Sequence, residues 1–293
     1  MQQISLTTLL EAGCHFGHKL DRWHPKASVF IYGPKEGIHI IDLAKTRDGL
    51  NSAANYIKQL AQDGKSVLVV ATKRQAKGVV ADKAKEAGVF YLTNRWIGGF
   101  LTNFEEVKKN IEKLNKMKKE EESGEWNKFP KHERIELEKE MRKLEIVYGG
   151  VKDLLKLPDC VYIVDIRKEY NAVKEARRRG IPIVAIVDTN SDPNQVDYVI
   201  PANDDAVGSI KLITDYILDS YKEGKGMREK KEAEGKRTPE EMAKEMENAG
   251  MENAKIKSEE KVDKLEKVKE KEAVEIKDKK IKVKKRGRPK KAK

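Results

Sequence analysis

Three short runs, Ser66 to Ala71 (SVLVVA), Val161 to Ile166 (VYIVDI) and Ile181 to Asp188 (IPIVAIVD), are nearly unbroken stretches of Val, Ile and Leu. A strand with one wet face alternates apolar and polar residues. A run without that alternation belongs to a strand covered on both faces, as in a parallel sheet held between helices. Around these runs lie apolar stripes at intervals of three and four: Leu50, Ala54, Ile57, Ala61; then Ala76, Val79, Val80, Ala84, Ala87, closed by Gly88; then Val207, Ile210, Thr214, Ile217, Tyr221. Such intervals put the stripe on one helix face. Two further strands are expected at Ile38 to Leu43, after a turn at Gly33-Pro34, and at Tyr198 to Ile200 before Pro201. The pattern predicts an α/β fold, a three-layer sandwich around a mostly parallel sheet with right-handed crossovers.

One stretch stands outside that scheme. Between Phe104 and Tyr148 no strand pattern occurs, whereas Phe104, Val107, Ile111, Leu114, Met117 and then Leu137, Met141, Leu144, Tyr148 form two narrow apolar seams at heptad-like spacing. The segment Gly124 to Pro130 supplies the reversal. The expectation is an inserted antiparallel coiled-coil hairpin over 104–148, with most of each arm in water. Its lysines, among them Lys108, Lys109, Lys116, Lys118 and Lys119, would be displayed for nucleic-acid phosphates. The neighbouring Glu105, Glu106, Glu112 and Glu120 to Glu122 support the plainer reading of a solvated charged face.

Charge divides the rest. The 293 residues carry 61 Lys+Arg against 49 Asp+Glu, a net +12, and only 38% are hydrophobic. From Lys222 to Lys293 there are 26 basic and 17 acidic residues and no aromatic, and Lys277 to Lys293 alone holds 11 basic residues against Asp278. Such a segment cannot bury enough apolar surface to offset the entropy of ordering. The expected organisation is therefore a sheet domain at 1–103 and 149–221, the hairpin at 104–148, and a disordered charged tail at 222–293. Within the tail, Lys284, Lys285, Arg286 and Arg288 lie around Arg-Gly-Arg-Pro, which looks like an AT-hook that enters an A·T minor groove, the mark of a DNA-binding protein. Sequence-independent phosphate binding by counterion release is the reading preferred here. No apolar run is long enough to span a bilayer and the start, MQQISLTTLL, is no signal peptide, so a cytoplasmic protein is expected. Cys14 and Cys160 form no C-x-x-C pair and read as buried reduced thiols.

Ligands of a doubly wound sheet bind beyond the carboxyl ends of its strands. The turn there, Thr72-Lys73-Arg74-Gln75, lacks the glycines of a dinucleotide fingerprint but fits a capping box from Thr72 to Gln75. Lys73 and Arg74 in a first helical turn oppose the macrodipole, and an external phosphate would reconcile them. In the loop 94–103, Gly98-Gly99 permits close approach of the backbone. Asn94 stands beside Arg95 and Trp96, which offer a guanidinium fork and a stacking plane suited to RNA. His15 and His18 have a chelating separation, and Asp188, Asp192, Asp204 or Asp205 could complete a metal site, yet no known ligand pattern joins them, which leaves metal binding open. No serine elbow, catalytic triad or Walker loop is present.

Gly13-Cys14-His15-Phe16-Gly17-His18, Trp23-His24-Pro25-Lys26, Thr72-Lys73-Arg74, Arg95-Trp96-Ile97-Gly98-Gly99 with Leu101-Thr102-Asn103, and Asp188-Thr189-Asn190-Ser191-Asp192-Pro193 resemble, in this order, the bacterial-type small-subunit ribosomal protein of the S-two family. The resemblance covers about residues 1 to 221. It implies a flavodoxin-like domain with an inserted coiled-coil hairpin and a non-enzymatic role without cofactor. It also implies binding to small-subunit rRNA between head and body, in the cytoplasm on the ribosome. The implied partners are neighbouring small-subunit ribosomal proteins, including the large mRNA-binding protein of the subunit, with no membrane and no second copy of the chain. Lys19 and Lys26, within or beside these motifs, join Lys73, Arg74, Asn94, Arg95, Trp96, the hairpin lysines and the tail cations as expected RNA contacts. The alternative is an α/β enzyme that binds a nucleotide or a sugar phosphate.

Overall fold

A computed structural model describes residues 4–236. The chain opens with a short helix α1 (Leu6–Glu11), capped by the Ser5 side chain on the Thr8 N–H. Strands β1 (Phe16–Lys19), β2 (Ile31–Lys35) and β3 (Ile38–Ile41) follow. They form a small antiparallel sheet in the order β1-β3-β2, which the sequence pattern did not foretell. Its strands are four or five residues long, with register shifts and outward Phe16 and Tyr32, so the two-residue period is blurred. Gly33-Pro34, expected as a turn, lies inside β2. The reversal falls three residues later at Glu36 and Gly37, both at positive φ (51° and 82°). The strand expected to Leu43 stops at Ile41, because Asp42 accepts the Ala44 N–H and starts helix α2 (Leu43–Gln62).

The main sheet is built from β4 (Val67–Val70), which leads to α3 (Lys77–Ala87), then β5 (Phe90–Leu92). Helices α4 (Phe104–Glu122) and α5 (Lys131–Tyr148) come next, followed by β6 (Cys160–Ile163), α6 (Tyr170–Arg179), β7 (Ile183–Val187), β8 (Tyr198–Pro201) and α7 (Val207–Lys236). All four pairings of the order β5-β4-β6-β7-β8 are parallel. Numbered along the chain, these five strands read 2-1-3-4-5, one of the two common doubly wound orders. Each of β4, β6 and β7 is buried throughout, as their continuous apolar runs require.

Alternation reappears as a division between two cores. Val67, Val69, Tyr162, Val184 and Ile186 join Leu50, Ile57, Val80, Ile210 and Ile217 on one side. Leu68, Val70, Val161, Ile163, Ile183 and Ala185 join Ala172, Val173 and Ala176 of α6 on the other. Helices α2, α3 and α7 thus cover one face and α6 the opposite one. The apolar seam of α4, from Phe104 to Met117, with Met141 and Tyr148 of α5, is continuous with this second core, through the ring contacts Trp96–Phe100 and Phe100–Phe104.

The boundary expected at residue 221 falls inside α7. There Lys222 pairs with Glu86, Glu223 lies 2.9 Å from Lys58 on α2, and a Cβ on Gly224 would sit 2.3 Å from the Lys58 carbonyl oxygen. Residues 222–236 continue the helix α7, and the remainder of the expected tail, 237–293, lies outside the described residues. Cys14 and Cys160 are buried free thiols, 0% exposed, and burial pushes both up from the ordinary thiol range. Among the described residues no helix is long and apolar enough to cross a membrane.

Candidate functional site

After β4 the chain leaves toward α3 on one face, and after the adjacent β6 it leaves toward α6 on the other. The crevice between these two exits is where a doubly wound sheet holds a ligand. Here the chain fills it with its own side chains. The Thr72 hydroxyl and N–H both donate to the Glu169 carboxylate. The Lys73 ammonium lies 2.8 Å from Asp165 Oδ2, 2.7 Å from Asp204 Oδ1 and 2.8 Å from Asp205 Oδ1, and donates to the Asp204 carbonyl at 3.0 Å. Burial disfavours the charge, yet these carboxylates raise the Lys73 pKa above the ordinary range. Burial of Asp204, with Asp165 and Asp188 nearby, pushes its carboxyl up to about 7 against the pull of Lys73.

This corrects the expectation for the turn. The capping box from Thr72 to Gln75 does not form: α3 begins at Lys77 without a side-chain cap, and the Lys73 carbonyl accepts the Ala76 and Lys77 N–H groups. Lys73 is not displayed at a helix start. Its side chain is 13% exposed, and a phosphate would have to break three charged contacts to reach it. Arg74 stays in solvent.

On the same rim, His18 Nδ1 lies 3.1 Å from Asp188 Oδ1, while Nε2 is 2.8 Å from Asn190 Nδ2 and 3.6 Å from Asp205 Oδ2. The contact with Asp188 raises the His18 pKa, against burial. One donor atom each from His18, Asp188 and Asp204 fall within 4.8 Å of one another, a nitrogen and oxygen set of the kind divalent cations accept. Of the residues weighed for a metal, these three come together. Asp205 reaches them only through His18 and Lys73, whereas Asp192 is drawn off by Lys26 at 2.7 Å and His15 packs its ring against Phe16.

The loop 94–103 departs most from expectation. Trp96 is 8% exposed, against Phe100, so its face is no platform for an RNA base. Its indole Nε1 donates to Glu175 on α6 at 3.0 Å. The same carboxylate accepts the N–H groups of Gly99, Leu101 and Thr102 at 2.8, 3.0 and 3.2 Å. Arg179, one turn further on, donates to the carbonyls of Leu101 and Thr102. The backbone donors that could have cradled a phosphate are thus satisfied by an internal carboxylate. Asn94 spends its amide on the Ile146 carbonyl at 2.7 Å. Arg95 remains exposed and has no ion pair among the described residues. Glu175 and Asp165, which organise this region, escaped the sequence reading because their partners lie about 70 to 100 positions away.

The lysines of α4 are largely exposed but not unpaired: Lys108 meets Glu112 at 4.0 Å, Lys109 meets Glu106 at 2.6 Å, Lys116 meets Glu120 at 3.7 Å, and Lys118 pairs with Glu145 of α5. Exposed pairs of this kind are worth about 0.2–1 kcal/mol, in contrast to the enclosed contacts of Lys73. Lys19 and Lys119 are exposed without an ion pair among the described residues. Lys284, Lys285, Arg286 and Arg288 lie outside the described residues.

Comparison with known proteins is consistent across nearly the whole described chain. The family model described as ribosomal protein S2 matches residues 9–224. A protein of Koribacter versatilis (strain Ellin345), named small ribosomal subunit protein uS2, is 46% identical over 230 residues, covering 78% of this chain and 76% of its own length.

Proposed function

The chain belongs to the ribosomal protein S2 family, and from that premise we propose that it is built into the small subunit by binding small-subunit rRNA and neighbouring ribosomal proteins at the head-body junction. The family is one of ribosomal structural proteins, not enzymes, which sets aside the nucleotide or sugar-phosphate enzyme. The observation that carries the reading within the molecule is the filled crevice: Lys73 among Asp165, Asp204 and Asp205, and Thr72 on Glu169, occupy the place where a doubly wound enzyme would hold its phosphate.

RNA contact then falls to cations at the surface. Of the contacts expected from the sequence, Lys19, Arg74, Arg95 and Lys119 are exposed without an ion pair among the described residues, and Lys26, Lys108, Lys109, Lys116 and Lys118 exchange weak surface pairs for phosphates. The helix pair α4–α5 is taken as the coiled-coil insertion of 104–148, a separate arm for the RNA or for a neighbouring protein such as the large mRNA-binding protein. The chain acts as a single copy on cytoplasmic ribosomes. The basic end from Lys277 adds phosphate contacts without base preference.

Sedimentation tests this. Full-length chain mixed with small subunits stripped of their own copy is expected to comigrate with them at moderate salt in a one-to-one ratio. A chain that stays at the top of the gradient while other ribosomal proteins rebind would sink the proposal.

A further inference from the structure

Next to the filled crevice, beyond the carboxyl ends of β6 and β7, lies an open cavity of about 610 Å³, within the roughly 300–1,000 Å³ typical of small-ligand sites. Its walls combine three kinds of group. Trp23 and Tyr170 present aromatic surface, 42% and 45% exposed. Arg22 and Arg167 are exposed at its edge with no ion pair among the described residues. Gln195, a residue with a side-chain amide, also lines it. The carboxylate of Asp192 in the same wall is answered by Lys26 at 2.7 Å and by the Asn194 N–H at 3.0 Å, and Lys174 stands 4.2 Å over the Tyr170 ring. Asp21, a second carboxylate of the lining, is exposed at the edge beside Arg22, so the cavity is aromatic, with two guanidinium groups at its mouth and its half-buried acid answered by Lys26.

Aromatic planes, unpaired guanidinium groups and an amide edge are what recognise an unstacked nucleotide. Bases splayed from single-stranded RNA stack on aromatic or guanidinium planes and are read along their edges by hydrogen bonds. A free mononucleotide fits less well. Its phosphate would seek the turn after β4, and Lys73 there is held by three carboxylates. A base arriving on a polymer keeps its phosphates outside, where Arg22 and Arg167 stand. We infer that the cavity between Trp23 and Tyr170 receives one unpaired nucleotide of the RNA that the chain binds. The inference rests on the proposed function and adds to it a specific pocket and ligand.

The test uses the full chain bound to small subunits. Two measurements are made: short-wave ultraviolet cross-linking followed by mass spectrometry of the peptides carrying Trp23 and Tyr170, and the subunit affinity of Arg22→Ala/Arg167→Ala and Tyr170→Ala, all three being exposed positions. Expected are a nucleotide adduct on one of those peptides and an affinity about tenfold lower for each variant, the order of loss that one stacked base produces, with unchanged melting. Wild-type affinity in both variants, or adducts only elsewhere or only to protein, would overturn the pocket while leaving the ribosomal reading intact. Wild-type chain that fails to bind subunits at all would overturn both.

Discussion

The indole Nε1 of Trp96 donates to Glu175 Oε1 at 3.0 Å, joining the loop after β5 to helix α6 through one carboxylate. That carboxylate also takes three backbone N–H groups, and although its burial opposes ionisation, these donors hold its carboxyl below the ordinary Glu range. A depressed carboxylate stabilises the fold above its unfolded value of about 4.3, and the stabilisation disappears as pH falls through the lower folded value. Glu175→Gln turns an amide donor toward backbone donors and is expected to cost about 1–3 kcal/mol at neutral pH. The gap between wild type and variant should narrow in acid. Urea unfolding at a series of pH values measures it, and a pH-independent gap would contradict the role given to Glu175.

Lys73 and Arg74 are adjacent in sequence and opposite in circumstance. Removing one partner of a buried ion pair leaves the others uncompensated, so Lys73→Met is expected to destabilise by about 3 kcal/mol. Arg74→Met, at an exposed position, should stay within about 0.5 kcal/mol and instead weaken subunit binding. Equal, small stability changes in both would mean that Lys73 is displayed after all.

Two glycines of α7 provide a paired test of where the folded body ends. A Cβ on Gly224 would meet the Lys58 carbonyl at 2.3 Å and Ala61 Cβ at 2.8 Å, whereas one on Gly226 would meet nothing within 4 Å. Helix propensity favours Ala over Gly by about 1 kcal/mol, so Gly226→Ala should raise the melting temperature. Gly224→Ala should lower it, since overpacking costs about 1–3 kcal/mol. If both variants are stabilised alike, α7 is not packed on α2 beyond residue 221.

The strands β4, β6 and β7 were legible because burial on both faces leaves its mark on every residue, as in Val67 to Val70. Helices α2, α3 and α7 were legible from one buried stripe each, though α7 ran past its expected end because Gly224 and Glu223 pack without apolar side chains. Around the crevice, residue types were legible where their contacts were not. His18, Asp188 and Asp204 were all singled out and do converge. Local sequence, however, could not say that Lys73 faces Asp204, 131 positions away, or that Trp96 turns inward to Glu175, 79 positions away. Residue type announces a charge or a ring; only the fold decides whether its partner is solvent, RNA or the chain itself.

A density map of small subunits carrying this chain would show where it sits and which of its cations meet RNA. One copy is expected at the head-body junction, with Lys19, Arg74, Arg95 and Lys119 facing rRNA phosphates and Lys73 still enclosed by Asp165, Asp204 and Asp205. A map that places the chain elsewhere, or that shows those four cations in solvent and Lys73 on an RNA phosphate, would contradict it.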